Sequence, residues 1–262
     1  MLEDKTNRII DYWNERATLY GAAGESTLLD SNMRTIEVET VTSWLTSNDR
    51  VVELFCGNGV STIEFAKHCE SIVGIDLSDK MLQVANTSLK RRKSVRGKVS
   101  FEKHNVLDLD DFALPGRFDT VVSVRGLINL PSWELQQQAL TSIHRALPQG
   151  GKFILVEGSR DGLEKINELR KGVGLKPLKE PWYDNHFNTQ TLMDFMGRYF
   201  EVQASRDLSA YFLISRVLYP LACAPEEPAF IHVCNTVARL VVPYVQAHEQ
   251  ASLLLCRCFT RK

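Results

Sequence analysis

No stretch of this chain stays apolar for the roughly 20 residues that a membrane-crossing helix needs, so no membrane span is expected. The opening residues Met1-Leu2-Glu3-Asp4-Lys5 lack the basic-then-apolar layout of a secretion signal, and a cytoplasmic location is expected. Charge of one sign is also missing. A net charge of −1 over 262 residues argues against binding driven by phosphate neutralisation, so no nucleic-acid partner is expected. The six cysteines (Cys56, Cys69, Cys223, Cys234, Cys256 and Cys258) show no framework of paired spacings in a long chain, and reduced thiols are expected. Cys256 and Cys258 share one face of a strand, but two ligands without two more nearby do not make a metal site, and none is expected. Internal repeats and low-complexity segments are absent. The length and the hydrophobic fraction of 44% fit one globular domain, 1–262, with insertions.

The most informative stretch is Val51-Val52-Glu53-Leu54-Phe55-Cys56-Gly57-Asn58-Gly59-Val60-Ser61-Thr62. An apolar strand meets an acid, then a turn with two glycines, then a helix. Ile72-Val73-Gly74-Ile75-Asp76 is a second strand ending in an acid, 17 residues beyond Gly59. This pattern describes a nucleoside crevice at the carboxyl end of a parallel sheet, with Asp76 as acceptor for ribose hydroxyls. A dinucleotide site needs G-x-G-x-x-G, so that bare amides face a pyrophosphate. Here the third position is Thr62, and Glu53 precedes the turn. A carboxylate there suits a cationic or neutral ligand, which disfavours a nicotinamide oxidoreductase.

Strands and helices alternate, which indicates a parallel sheet covered on both faces. Strands are expected over 50–55, 71–76, near Val99 and Phe101, over Arg117–Val124 and over Phe153–Val156. Helices are expected over 60–69, 79–92, from Pro131 to near Leu147, and over 160–172. Residues 174–188 read as irregular. A helix over 189–198 leads to a strand near 199–204, and 252–259 reads as the last strand. Residues 207–250 are too long for a hairpin loop; they read as an inserted cap with a helix over 228–245. The expected division is a helical cap over 1–40, a cofactor-binding core over 41–206, the inserted cap over 207–250 and the final strand over 251–262.

The acid followed by the glycine turn resembles motif I of the class I S-adenosylmethionine (SAM)-dependent methyltransferases, and residues 45–160 resemble the core of their ubiquinone-type and "type 11" members. The resemblance implies a Rossmann-like α/β sheet of seven strands in the order 3-2-1-4-5-7-6, with the last strand antiparallel. It also implies SAM as cofactor, S-adenosylhomocysteine (SAH) as product, and a methyl acceptor that is a small molecule. Phe55 departs from the family pattern, where a glycine is common. By resemblance Glu53 orients the turn and the methionine amino group, and Phe55, Cys56, Gly57 and Gly59 frame the methionine portion. Asp76 holds the ribose, Leu77 and Met81 pack near the adenine, and Asn105 and Val106, or alternatively Asp108, contact its edge. An aromatic amino-terminal helix with Tyr12, Trp13, Arg16 and Tyr20 closes over the cofactor in similar enzymes, or else docks on the surface.

Methyl transfer is an in-line displacement that mainly requires positioning, exclusion of water and a donor lone pair. The candidate base is His186, in Trp182-Tyr183-Asp184-Asn185-His186-Phe187, with Asp184 or Glu157 to orient it; Glu157 is itself a candidate on the rim of the sheet. Arg125 could pair with a carboxylate or phosphate of the substrate, or form an interior ion pair. The acceptor atom is oxygen or nitrogen. The alternatives are an RNA methyltransferase, supported only by the basic residues Lys90-Arg91-Arg92-Lys93, Arg96 and Lys98, or a non-catalytic SAM-binding protein. The chain is expected to act as a monomer or homodimer.

Overall fold

The computed structural model describes residues 2–95, 97–112, 117–226, 228–229, 232–245 and 251–262. Arg96, part of the basic run, and residues 246–250 of the expected inserted cap lie outside the described residues. The strands are β1 (Arg50–Leu54), β2 (Ser71–Asp76), β3 (Val99–Lys103), β4 (Thr120–Val124), β5 (Lys152–Gly158), β6 (Phe200–Arg206) and β7 (Leu254–Arg261). They form one seven-stranded sheet in the order β3-β2-β1-β4-β5-β7-β6. The first five strands pair in parallel, and β7 runs antiparallel to both β5 and β6. The order and the inverted last strand are those the resemblance implied.

The helices are α1 (Leu2–Tyr20), α2 (Ser31–Trp44), α3 (Val60–Phe65), α4 (Asp79–Lys90), α5 (Leu109–Phe112), α6 (Trp133–Ala146), α7 (Arg160–Gly172), α8 (Thr189–Met196), α9 (Ser209–Leu213), α10 (Tyr219–Cys223) and α11 (Val233–Val241). Short polar side chains fix their starts by accepting from an amide of the first turn. Asp30 does so for α2, Ser78 for α4, Ser132 for α6, Ser159 for α7 and Asn188 for α8. Several boundaries differ from those read off the sequence. α3 stops at Phe65, because 66–70 must turn back for Glu70 N–H to reach the Asp49 carbonyl at 2.9 Å and start β2. α2 runs through residue 40 to Trp44. α9 continues through a π-helical turn, Ile214–Leu218, into α10. The helix expected over 228–245 is α11, shorter at both ends; residues 230 and 231 are outside the described residues.

The sheet separates two apolar layers, since alternate residues of a strand face opposite sides. Val51, Val122, Ile154 and Val156 point to the layer of α2, α3, α7, α9 and α11; Val52, Leu54, Val121, Phe153 and Leu155 point to that of α6 and α8. Val121 and Val122 are fully buried, and side chains of this size each contribute about 1.5–3 kcal/mol by leaving water. This rigid centre brings the carboxyl ends of β1, β2, β4 and β5 side by side.

Candidate functional site

The turn after β1 is left-handed at three residues: Phe55 (φ 52°), Gly57 (φ 54°) and Gly59 (φ 73°). Glycine adopts this region freely, whereas Phe55 is strained there. The strained side chain is accommodated by Gly126 on the neighbouring turn, where an added Cβ would meet the Phe55 ring at 2.4 Å. The Asp76 carboxylate then ties the turn to β2. Its Oδ2 accepts from Gly57 N–H at 2.9 Å and its Oδ1 from Ser78 N–H at 2.8 Å. Burial pushes the Asp76 carboxyl up, against the amides of Ser78, Gly57 and Leu77.

Glu53 is buried at the end of β1, and its Oε2 has no hydrogen-bond partner among the described residues. Burial pushes its carboxyl up to about 8, opposed by the Thr62 hydroxyl and reinforced by the Asp76 charge. An isolated buried carboxyl of this kind is the arrangement expected of a group awaiting a cationic partner.

Glu53, Phe55, Cys56, Gly57, Asp76, Leu77, Met81 and Arg125 share the wall of one cavity of about 120 Å³. Gly59, Asn105, Val106 and Tyr20 do not line it. Gly59 caps α3, and an added Cβ would meet Phe101 at 2.5 Å. Asn105 caps the short turn Val106–Asp108, and Val106 is buried in the core. Tyr20 lies on the protein surface beneath the Arg16 guanidinium, 4.1 Å from its ring centroid. Small-molecule pockets usually enclose about 300–1,000 Å³; here Thr6, Ile9, Ile10 and Trp13 of α1 close the cavity from above.

The sequence reading missed Arg34 of α2, which lines this cavity. Its guanidinium donates to Gly24 O, Thr27 Oγ1 and Leu28 O, and it has no carboxylate partner among the described residues. Burial and the nearby Arg125 lower its pKa. One turn further along α2, Glu37 is buried and accepts from Arg125 Nε at 2.7 Å. Burial opposes the Arg125 charge, but Glu37 more than restores it. Arg125 is therefore the interior ion pair, and its charge is already matched.

A second cavity of about 410 Å³ adjoins the first, and the two share Trp13, Thr27, Arg125 and Asn129. Asn129 Oδ1 accepts from Trp13 Nε1 at 2.6 Å, while Asn129 Nδ2 donates to Asp184 Oδ1 at 3.3 Å. Tyr12 stacks on Tyr183 with centroids 4.7 Å apart, joining α1 to the irregular 174–188 segment. His186 lines this larger cavity and packs against Gly158, where an added Cβ would meet its ring at 2.5 Å. Its Nε2 lies 3.6 Å from Asp184 Oδ2 and its Nδ1 3.9 Å from Glu180 Oε1.

Glu157 stands elsewhere than expected. It is fully buried and lines neither cavity; its oxygens accept from Ser123 Oγ and from the amides of Gly126, Leu127 and Ile128. Burial raises its carboxyl to about 7 against those donors. Its place is beneath the 125–129 turn, which it holds; the carboxylates near the His186 ring among the described residues are Asp184 and Glu180.

Residues 51–151 match the family described as a methyltransferase domain. The demethylmenaquinone methyltransferase of Lactiplantibacillus plantarum is 34% identical over 44% of this chain and 48% of its own length, so the chain spans about half of that curated relative. An S-adenosyl-L-methionine-dependent Diels-Alderase of Talaromyces variabilis is 26% identical over 75% of this chain and 69% of its own length. Among solved structures, magnesium protoporphyrin IX methyltransferase of Synechocystis PCC 6803, with bound SAH, superposes with a TM-score of 0.59. It is 15% identical over 96% of this chain and 94% of that one, a likeness of fold. The acid–glycine turn, the sheet order and the family match over β1–β4 and the intervening helices agree: residues 51–151 form a methyltransferase domain.

Proposed function

We propose that this protein transfers a methyl group from SAM to an oxygen or nitrogen of a small-molecule acceptor. The observation that carries the reading is an acid and a guanidinium on one cavity wall: Glu53 with an orphaned oxygen, and Arg34, whose hydrogen bonds all go to neutral oxygens while Glu37 and Glu25 lie in its field. An amino-acid zwitterion matches that pair, with its ammonium on Glu53 and its carboxylate on Arg34. Asp76 would hold the ribose diol, and Leu77 with Met81 would give an apolar face to the base. Bound there, SAM supplies an electrophilic methyl on a sulfonium that is its own leaving group. The group fits once the α1 side chains over the cavity move outward, so α1 serves as the cover. On this reading 1–40 and 207–250 act as caps around a core over 41–206, with the final strand in 251–262.

The acceptor would occupy the larger cavity, with its reacting atom at the shared wall near Asn129. There His186 would take the acceptor proton, with Asp184 orienting the ring. Glu157 is set aside as a base because its oxygens are all engaged. A cytoplasmic location accords with six free cysteines. On this reading the protein acts without nucleic acid, as monomer or homodimer; the basic run Lys90–Lys93 begins at the last residue of α4, and Arg91 and Arg92 line neither of the two cavities. Calorimetry with SAH, followed by transfer of labelled methyl from SAM to a small-molecule extract, tests the reading. SAH binding without any transfer would favour a SAM-binding protein that does not methylate, a use consistent with the Diels-Alderase likeness. Failure to bind SAH would reject the reading altogether. Loss of activity in a variant with Arg91→Glu and Arg92→Glu would favour an RNA acceptor.

A further inference from the structure

The charges around the larger cavity do not balance. Four cations line it, Arg16, Arg125, Lys179 and Arg216, against two carboxylates, Asp30 and Asp184. Arg216 pairs with Asp30, which also accepts from the Tyr211 hydroxyl at 2.7 Å. Arg125 pairs with Glu37 and lies in the field of Asp184 as well. Asp184 is engaged with Asn129 and the His186 ring. Arg16 and Lys179 remain.

Arg16 donates through Nε to the Ser26 carbonyl at 3.1 Å and through Nη2 to the Glu25 carbonyl. These neutral oxygens fix the guanidinium without cancelling its charge, and Arg16 has no carboxylate partner among the described residues. Lys179 is exposed and likewise without an ion pair among them. Most of the remaining wall is aromatic or aliphatic, with Tyr12, Tyr183, Leu28 and Ile128, beside the polar Thr27, Asn129 and His186. A fixed, unneutralised guanidinium beside ring-stacking surface recognises an anion carried on an apolar body.

We propose that the methyl acceptor is an organic acid with an aromatic or apolar body, whose carboxylate is anchored by Arg16 with Lys179 at the rim. This inference rests on the methyltransferase reading, since it takes the larger cavity as the acceptor site. The test is calorimetry on SAH-saturated protein with two probes of one shape, biphenyl-4-carboxylate and biphenyl-4-carboxamide. The carboxylate should bind about tenfold more tightly at low salt, a factor that one charged hydrogen bond supplies, and the preference should shrink as salt rises. Arg16→Gln should reduce the preference to under about threefold while SAH affinity is unchanged, and Arg16→Lys should restore part of it. Lys179→Gln, on the exposed rim, should reduce it partially without risk to the fold.

Equal binding of the two probes, binding of neither to protein that holds SAH, or an undiminished preference in Arg16→Gln would each overturn the inference and leave the cofactor reading standing. Protein that does not bind SAH would overturn both.

Discussion

The protonation of Glu53 gives the sharpest test of the cofactor site. With its carboxyl raised to about 8, roughly nine in ten molecules carry the proton at pH 7 when the site holds no cation. An ammonium placed against Oε2 favours the charged form and draws the pKa down. A return to the ordinary value of 4.5 would couple binding to deprotonation by about 5 kcal/mol at most. Three consequences follow from linkage. SAH binding at pH 7 should release close to one proton. The apparent Kd should fall about tenfold between pH 6 and 7, then about fivefold between pH 7 and 8, and level off above that. The folded pKa also lies above the unfolded one, so the stabilisation due to neutral Glu53 is complete below pH 4.5 and is lost as pH rises through 8. SAH should therefore raise the Tm more at pH 8 than at pH 6. Calorimetry at pH 7 in phosphate and in Tris measures the released proton directly, because the two buffers differ in ionisation enthalpy. Glu53→Gln should bind SAH with an affinity that is flat from pH 6 to 8. Identical apparent enthalpies in both buffers, or an unchanged slope in Glu53→Gln, would refute the assignment of the ammonium to this carboxyl.

Asp76→Ala should weaken SAH binding by about 1–3 kcal/mol and also lower the Tm, since the amides of Gly57 and Ser78 lose their acceptor; calorimetry and thermal melts check the two effects separately. Gly126→Ala should destabilise by about 1–3 kcal/mol through the clash with the Phe55 ring, and Phe55→Gly in the same chain should relieve it; an additive double variant would show that the two positions do not interact. His186→Ala should lower turnover by about 10²–10⁴-fold with SAH affinity unchanged, read from kcat and calorimetry once an acceptor is in hand.

What the sequence made legible was local. The acid–glycine turn, the acid ending β2 and the strand periodicity each lie within a few consecutive residues, and the backbone there has few alternatives. The departure at Phe55 was legible as an oddity but not as a solution. Its φ of 52° explains why a glycine is common there, and the compensation sits on another turn, at Gly126. The parts that escaped notice all depend on tertiary packing. Arg34 and Glu37 stand one turn apart on α2, a spacing at which two side chains commonly meet. In the fold Arg34 lines the smaller cavity and Glu37 pairs with Arg125, while the Glu37 charge still acts on Arg34. Glu157 lies at the carboxyl rim, where a catalytic acid would be sought, yet four donors converge on it, three of them amides of the 125–129 turn that it supports. Both oxygens of Glu157 accept hydrogen bonds and hold a turn, whereas Glu53 keeps Oε2 without a partner among the described residues. That difference between Glu157 and Glu53, two buried acids on parallel strands, is written in the hydrogen-bond partners and cannot be read from residue type.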